Sequence, residues 1–196
     1  VFEKWITDVK DSHYEAQEGW YRWSYDVKKI DVSHMEEVLR SRFLNNPNMI
    51  LTLEDGDFES REIESLGEIK NIQIVKRLPG GVADELIITG TEATVKVLSE
   101  LNIRYVLADG KTKVIRQTAD EVDAATLPSA FIAIELITED ETVTGYTITG
   151  GGFGHGVGMS QNGAKNMAQT GLTCEEILTF FYPGVDLKKL HEEEIS

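Results

Sequence analysis

The sequence predicts an α+β fold, mainly antiparallel sheet with a few packed helices. Two observations carry that prediction. Short apolar runs of strand length recur around Ile72–Ile74, Leu86–Ile88, Phe131–Ile137 and Val143–Thr149, with turn residues between them. Helical faces are written over 34–44, 159–169 and 174–182, two of them behind a serine or threonine with glutamate three residues on.

In chain order, the first thirty residues hold all three tryptophans, Trp5, Trp20 and Trp23. Within GWYRWSYDV, Trp20, Arg22 and Ser24 alternate with Tyr21, Trp23 and Tyr25, which predicts a strand with an aromatic face. Such a face either stacks on sugar rings or fills a core, and burial is the expectation because tryptophan hides so much apolar area. Ser33 and Glu36 form a capping-box pattern, after which Met35, Val38, Leu39 and Phe43 share one helical face. His34 is expected on the surface. That helix should end near Asn45, since Asn46 precedes Pro47 and is pushed out of the helical region.

Residues 54–65 are acidic and irregular. Asp55-Gly56-Asp57 reads as a turn, because a calcium loop needs more oxygen ligands at fixed spacing. Two strands joined by Pro79-Gly80-Gly81 form a hairpin between residues 69 and 88, followed by a strand over 94–98. Asn102–Leu107 reads as a short helix with Arg104 in an ion pair, and 109–126 has no clear period. The acidic turn Glu139-Asp140-Glu141 separates the last two strands, and the second of them runs straight into glycine-rich sequence. A helix over Met159–Gln169 then stops at Gly171. Thr173 and Glu176 open another, in which Ile177, Leu178 and Phe181 face inward, and Pro183-Gly184 ends it. The run 192–194 is a charged tail.

Composition excludes several functions. A net charge of -15 leaves no basic stripe for nucleic acid and opposes electrostatic adhesion to anionic membranes. No run approaches the roughly 20 apolar residues of a spanning helix. The first residues carry acids and no apolar core of a signal peptide, so any export signal is expected outside this chain. A single cysteine, Cys174, permits no internal disulfide and is expected as a small packed thiol.

The most unusual stretch is GGGFGHGVGMSQNGA, from Gly150 to Ala164. Six of the nine residues from Gly150 to Gly158 are glycine, and they flank one histidine, His155. So many glycines together imply positive φ or close approach to backbone. The segment 152–164, with Met167-Ala168, Gly171, Glu176-Ile177-Leu178 and Tyr182-Pro183-Gly184, resembles the C-terminal signature of the SpoIID/LytB family of bacterial cell-wall proteins. Weaker agreement extends through Leu66-Gly67-Glu68-Ile69, Arg77, Ile103-Arg104 and Leu127-Pro128-Ser129. The resemblance implies peptidoglycan lytic transglycosylase activity, or enhancement of an amidase that cuts peptidoglycan. It implies glycan strands and other cell-wall hydrolases as partners, an extracytoplasmic location and no cofactor. The family's proposed catalytic glutamate belongs to a block with an alanine-rich helix that this sequence does not contain. Residues 1–196 are therefore expected to form the C-terminal portion of a SpoIID-like domain, with the catalytic acid supplied from elsewhere.

Three chemistries compete for the loop. A phosphate cradle would need Gly-Lys-Ser/Thr or a spaced Gly-x-Gly-x-x-Gly, and neither is present. A metal centre would need more than one histidine, and His13, His34 and His191 have no ligand spacing to His155. In a glycan cleft, His155 held between Gly154 and Gly156 faces a sugar, Ser160 and Gln161 bind hydroxyls, loop amides take an N-acetyl carbonyl and Tyr182 contributes. The competing expectation is that His155 hydrogen-bonds backbone and only locks the turn. His155 is the candidate contributor to catalysis.

Overall fold

Two five-stranded antiparallel sheets organise the described residues, with the order of each set by which faces must be buried. The computed structural model describes residues 2–188; His191 and the acidic run 192–194 lie outside the described residues. The chain divides into two units, Val1–Val9 with Gly19–Gly156, and Lys10–Glu18 with Val157–Ser196.

Both sheets belong to the first unit. One is built from β1 (Trp23–Val27), β7 (Lys113–Arg116), β8 (Glu121–Asp123), β9 (Ile132–Glu139) and β10 (Thr142–Gly150), in the order β8-β7-β1-β10-β9. The other holds β2 (Ile50–Glu54), β3 (Asp57–Glu59), β4 (Ile69–Arg77), β5 (Ala83–Gly90) and β6 (Thr94–Leu98), in the order β3-β2-β6-β5-β4. Three helices accompany them: α1 (Phe2–Thr7), α2 (Val32–Asn45) and α3 (Glu100–Val106). One core takes the inner faces of both sheets together with Met35 and Leu39 of α2 and Ile103 and Val106 of α3. The antiparallel α+β expectation therefore holds.

β1 shows why period two matters. Tyr21, Trp23, Tyr25 and Val27 are buried, whereas Ser24 and Asp26 between them are not. Core burial wins for this face, as its apolar area predicts. The Tyr25 hydroxyl donates to Asp109 Oδ1 at 2.7 Å and accepts from the Asp109 amide at 2.9 Å. Asp109 also accepts from the amides of Thr112 and Lys111. Tyr146, buried on β10, donates to the Leu107 carbonyl at 2.7 Å.

Several elements depart from the sequence pattern, each for a tertiary or local reason. Asp31, not Ser33, caps α2 by accepting from the His34 amide at 3.1 Å. Glu36 is drawn instead to the Leu66 amide at 2.7 Å, so the predicted box does not close. His34 is half-buried rather than free on the surface. Residues 50–59 form a hairpin, β2 and β3, turning through Asp55 and Gly56, both at positive φ (48° and 99°), a hairpin-type turn. Residues 113–123 form a second hairpin, β7 and β8, on the edge of its sheet. α3 begins at Glu100, two residues earlier than expected, with the Ile103 amide donating to the Ser99 carbonyl at 3.2 Å; the Asn102 side chain, 4% exposed, donates to the Leu98 carbonyl. Arg104 pairs with Glu100 at 3.3 Å, as expected.

The Asp109 cluster yields a pH prediction. Burial acts to raise the Asp109 carboxyl, but the Thr112 amide, the Tyr25 hydroxyl and the Lys111 amide outweigh it and hold it at about 2, below its ordinary 3.8. A depressed carboxyl contributes stability above its unfolded value and loses it as pH falls through its folded value. Stability should therefore drop as pH falls from about 3.8 toward 2. Asp109→Asn should be less stable at neutral pH and flatter across that window, read from urea midpoints.

Candidate functional site

β10 ends at Gly150, and from there the backbone is tied to its surroundings residue by residue. A Cβ on Gly150 would lie 2.1 Å from the Trp23 ring, so only glycine fits. The Gly151 amide donates to the Phe131 carbonyl at 3.0 Å, and its carbonyl accepts from Ser129 Oγ at 2.8 Å. The Gly152 amide donates to the Trp20 carbonyl at 2.8 Å, and its carbonyl accepts from Trp23 Nε1 at 3.0 Å. The Gly154 amide donates to the Pro128 carbonyl at 2.9 Å. These three amides are committed to the scaffold, so they are not the donors expected for an N-acetyl carbonyl.

Beyond Gly151 the glycines alternate with larger residues. Gly152, Gly154, Gly156 and Gly158 all take positive φ, between 73° and 112°. The intervening Phe153, His155 and Val157 are exposed, Phe153 by 70% and Val157 by 64%. Placing the positive φ on glycine spares the side-chain-bearing residues the left-handed penalty. Gly156 is also a close approach, since a Cβ there would meet Val82 at 2.4 Å.

The supports of this loop come from positions far upstream in sequence. Arg104 Nε donates to the Leu127 carbonyl at 2.8 Å, and Leu127 is fully buried, which fixes the start of the Leu127-Pro128-Ser129 strip. Arg77 donates to the carbonyls of Gly81 and Ile132, at 2.9 and 2.8 Å. Trp20 stacks near Phe153 with centroids 5.1 Å apart, and Arg116 lies over the same indole at 5.1 Å. Asp120 holds Arg116 through Nε at 2.7 Å.

The second unit carries α4 (Gln161–Gln169) and α5 (Cys174–Phe181). α4 begins at Gln161, two residues later than the pattern suggested, because Ser160 is its N-cap and accepts from the Gly163 amide at 3.1 Å. The Ser160 hydroxyl donates to the Glu15 carboxylate. Asn166 donates to the Tyr14 carbonyl at 2.7 Å and to Glu18 at 3.0 Å, and Lys165 pairs with Glu18 at 2.8 Å. The Lys165 hydrogen bond, followed by that of Asn166, holds the Glu18 carboxyl below its ordinary value. The Thr173–Glu176 capping box closes as expected. Tyr182 caps α5 at its end, and its hydroxyl accepts from the Met159 amide at 3.2 Å. Cys174 is exposed, not packed.

Of the residues singled out in sequence, Gly154, His155 and Gly156 lie in the first unit, and Ser160, Gln161 and Tyr182 in the second. Within the second unit, Ser160 and Tyr182 both anchor the stretch that leads into α4. His155 is exposed, and Gln161 is exposed in the first turn. Sequence reasoning passed over Glu15, which no local pattern links to Ser160 across 145 residues. It also passed over Phe153, for which the Gly-x-Gly alternation was the available signal. Among the described residues no three His, Cys, Asp or Glu are grouped to hold a metal ion. No described helix is long and apolar enough to cross a membrane.

The family described as a domain of unknown function, DUF8618, matches residues 1–158, which include both sheets and the loop through Gly158. The chain belongs to this family. It is also similar to the amidase enhancer of Bacillus subtilis strain 168, with 49% identity over 51 residues, 26% of this chain and 7% of that protein. The stage II sporulation protein D of Bacillus amyloliquefaciens is 54% identical over 43 residues, 22% of this chain and 12% of that protein. The same-named protein of Bacillus subtilis strain 168 is 49% identical over an equal span. The SpoIID/LytB resemblance is thus borne out over about a quarter of the chain. This chain spans only 7 to 12% of the length of these relatives. No solved structure matches it.

The loop geometry predicts two different glycine costs. Gly150→Ala should lose about 1–3 kcal/mol by overpacking Trp23. Gly152→Ala, with nothing within 4 Å of the added carbon, should lose only about 1–2 kcal/mol, from its φ of 73°. Ser160→Ala should cost about 1 kcal/mol through loss of its cap. Urea unfolding of the three variants checks the ordering.

Proposed function

We propose that this chain recognises peptidoglycan glycan strands and acts outside the cytoplasm in cell-wall remodelling, of the kind associated with sporulation. In this reading, residues 1–196 are the C-terminal portion of a SpoIID-like lytic transglycosylase domain, working beside other cell-wall hydrolases. The observation that carries it is the hydrogen-bonded loop on which exposed Phe153 lies near Trp20 and exposed His155 stands between two glycines, in a chain similar to an amidase enhancer and to stage II sporulation proteins D. Phe153, backed by Trp20, offers an aromatic face to a sugar ring, and His155 offers a hydrogen-bonding imidazole between Gly154 and Gly156. Within the second unit, Gln161 and Tyr182 offer an amide and a phenol to glycan hydroxyls. Ser160 contributes its remaining lone pair, because its other bonds go to the cap and to Glu15.

The reaction is an intramolecular transfer. The muramyl 6-hydroxyl attacks the anomeric carbon and gives up its proton, the glycosidic bond breaks, and an acid protonates the departing oxygen. The product is an anhydro sugar end with no water consumed. The proton donor is assigned to a carboxylate contributed from outside this chain.

A second reading, a non-catalytic wall-binding or amidase-enhancing module, is favoured by one feature. The loop from Gly150 to Gly158 carries an imidazole and no carboxylate. Incubating the chain with purified glycan strands separates the two readings. Anhydromuramyl ends released only when a carboxylate-bearing partner segment is supplied support the transglycosylase reading, binding without release under both conditions supports the module, and release by this chain alone would refute the external acid. Under either reading, His155→Ala and Phe153→Ala should each weaken sedimentation with purified peptidoglycan by about tenfold. Unchanged binding by both variants would remove the loop from recognition.

A further inference from the structure

α2 and α3 border an open concavity of about 270 Å³, lined by His34, Glu37, Val38, Ser41, Arg42 and Tyr105. The five α2 residues fall on one helical face by their three- and four-residue spacing. Arg42 is the residue that distinguishes the site. Its Nε donates to Asn102 Oδ1 at 2.7 Å, and Asn102 is itself buried and anchored to the Leu98 carbonyl at 2.8 Å. The guanidinium lies over the Tyr105 ring, 4.8 Å from its centroid. Two independent contacts therefore hold the fork in place before any ligand arrives.

The chain has 34 acidic residues against 19 basic ones. Arg40, Arg61, Arg104 and Arg116 each pair with a carboxylate. Arg42 makes no ion pair among the described residues. A guanidinium fixed through Nε on the wall of a concavity suits bidentate capture of a carboxylate by its terminal nitrogens at little ordering cost. Glu37 on the same wall would repel a simple anion, but it would attract an ammonium next to that carboxylate. The imidazole of His34 and the hydroxyls of Ser41 and Tyr105 complete a polar lining around one apolar side chain, Val38.

We propose that this pocket binds a zwitterionic amino-acid end group, with Arg42 taking the carboxylate and Glu37 the ammonium. The inference does not depend on the glycan reading of the loop, because none of these residues belongs to that loop.

The test is an NMR titration of the ¹⁵N-labelled chain with alanine, N-acetylalanine and alaninamide. Alanine should give saturable shifts at residues 34–42, Tyr105 and the Arg42 side chain. Each blocked derivative should bind at least about tenfold more weakly, having lost one charged contact. Arg42→Gln should abolish the alanine response. Because Arg42→Gln also releases Asn102, the exposed-site variant Glu37→Gln serves as the second arm. It should weaken alanine while strengthening N-acetylalanine. No saturable shift at these residues, an equal response to all three compounds, or an alanine response unaffected by Glu37→Gln would each overturn the assignment.

Discussion

The contact between Trp23 and the Gly150–Gly152 backbone governs the rest of the first unit. The indole is buried on the central strand of its sheet, so its N–H must find an acceptor inside the protein. It finds the Gly152 carbonyl, and the flat face of the ring lies where any side chain on Gly150 would stand. One residue thus ends the strand, excludes every alternative to glycine at its last position and aims the loop that follows. Register passes the constraint along, because β1 pairs with β10 from Trp23–Gly150 to Val27–Tyr146.

What surrounds that contact is a second layer of fixed carbonyls. Arg77, Arg104 and Ser129 each donate to a backbone carbonyl near the loop. A glycine-rich segment loses much backbone freedom on folding, and so many bonds to it are what make it an ordered element. The glycines are used in two ways. Gly150 and Gly156 are sites of close approach, whereas Gly152 and Gly154 have open space and serve only conformation. Phe153 and His155 thus stand on a stretch whose neighbouring glycine amides are already bonded to the scaffold.

The two concave or projecting features of the first unit follow the same principle by different means. In the loop, backbone hydrogen bonds do the ordering. Between α2 and α3, a buried amide, Asn102, holds one nitrogen of a guanidinium while an aromatic ring supports its face. Both arrangements place a polar group at the end of a chain of satisfied bonds.

Local chemistry by itself determined the periodic elements and the unusual loop. The aromatic alternation of β1, the Pro79-Gly80-Gly81 hairpin, the Thr173–Glu176 box and the end of α2 before Pro47 all depend on neighbours within a few residues, and all were legible. So was His155 as an exposed group between glycines. Tertiary structure decided the rest, wherever a polar group had a choice of partner. Glu36 left its own helix end for the Leu66 amide, Asn102 turned to Leu98 and Arg42, and Ser160 met Glu15 from far along the chain. The edge hairpins at 50–59 and 113–123 were hidden for a related reason: one is acidic, the other polar, and pairing with a neighbouring strand supplies the stability their own patterns lack. A hydrogen bond is worth little net when water can replace it, so the sequence near a polar residue rarely reveals its partner; burial makes that choice, and burial is a property of the assembled fold.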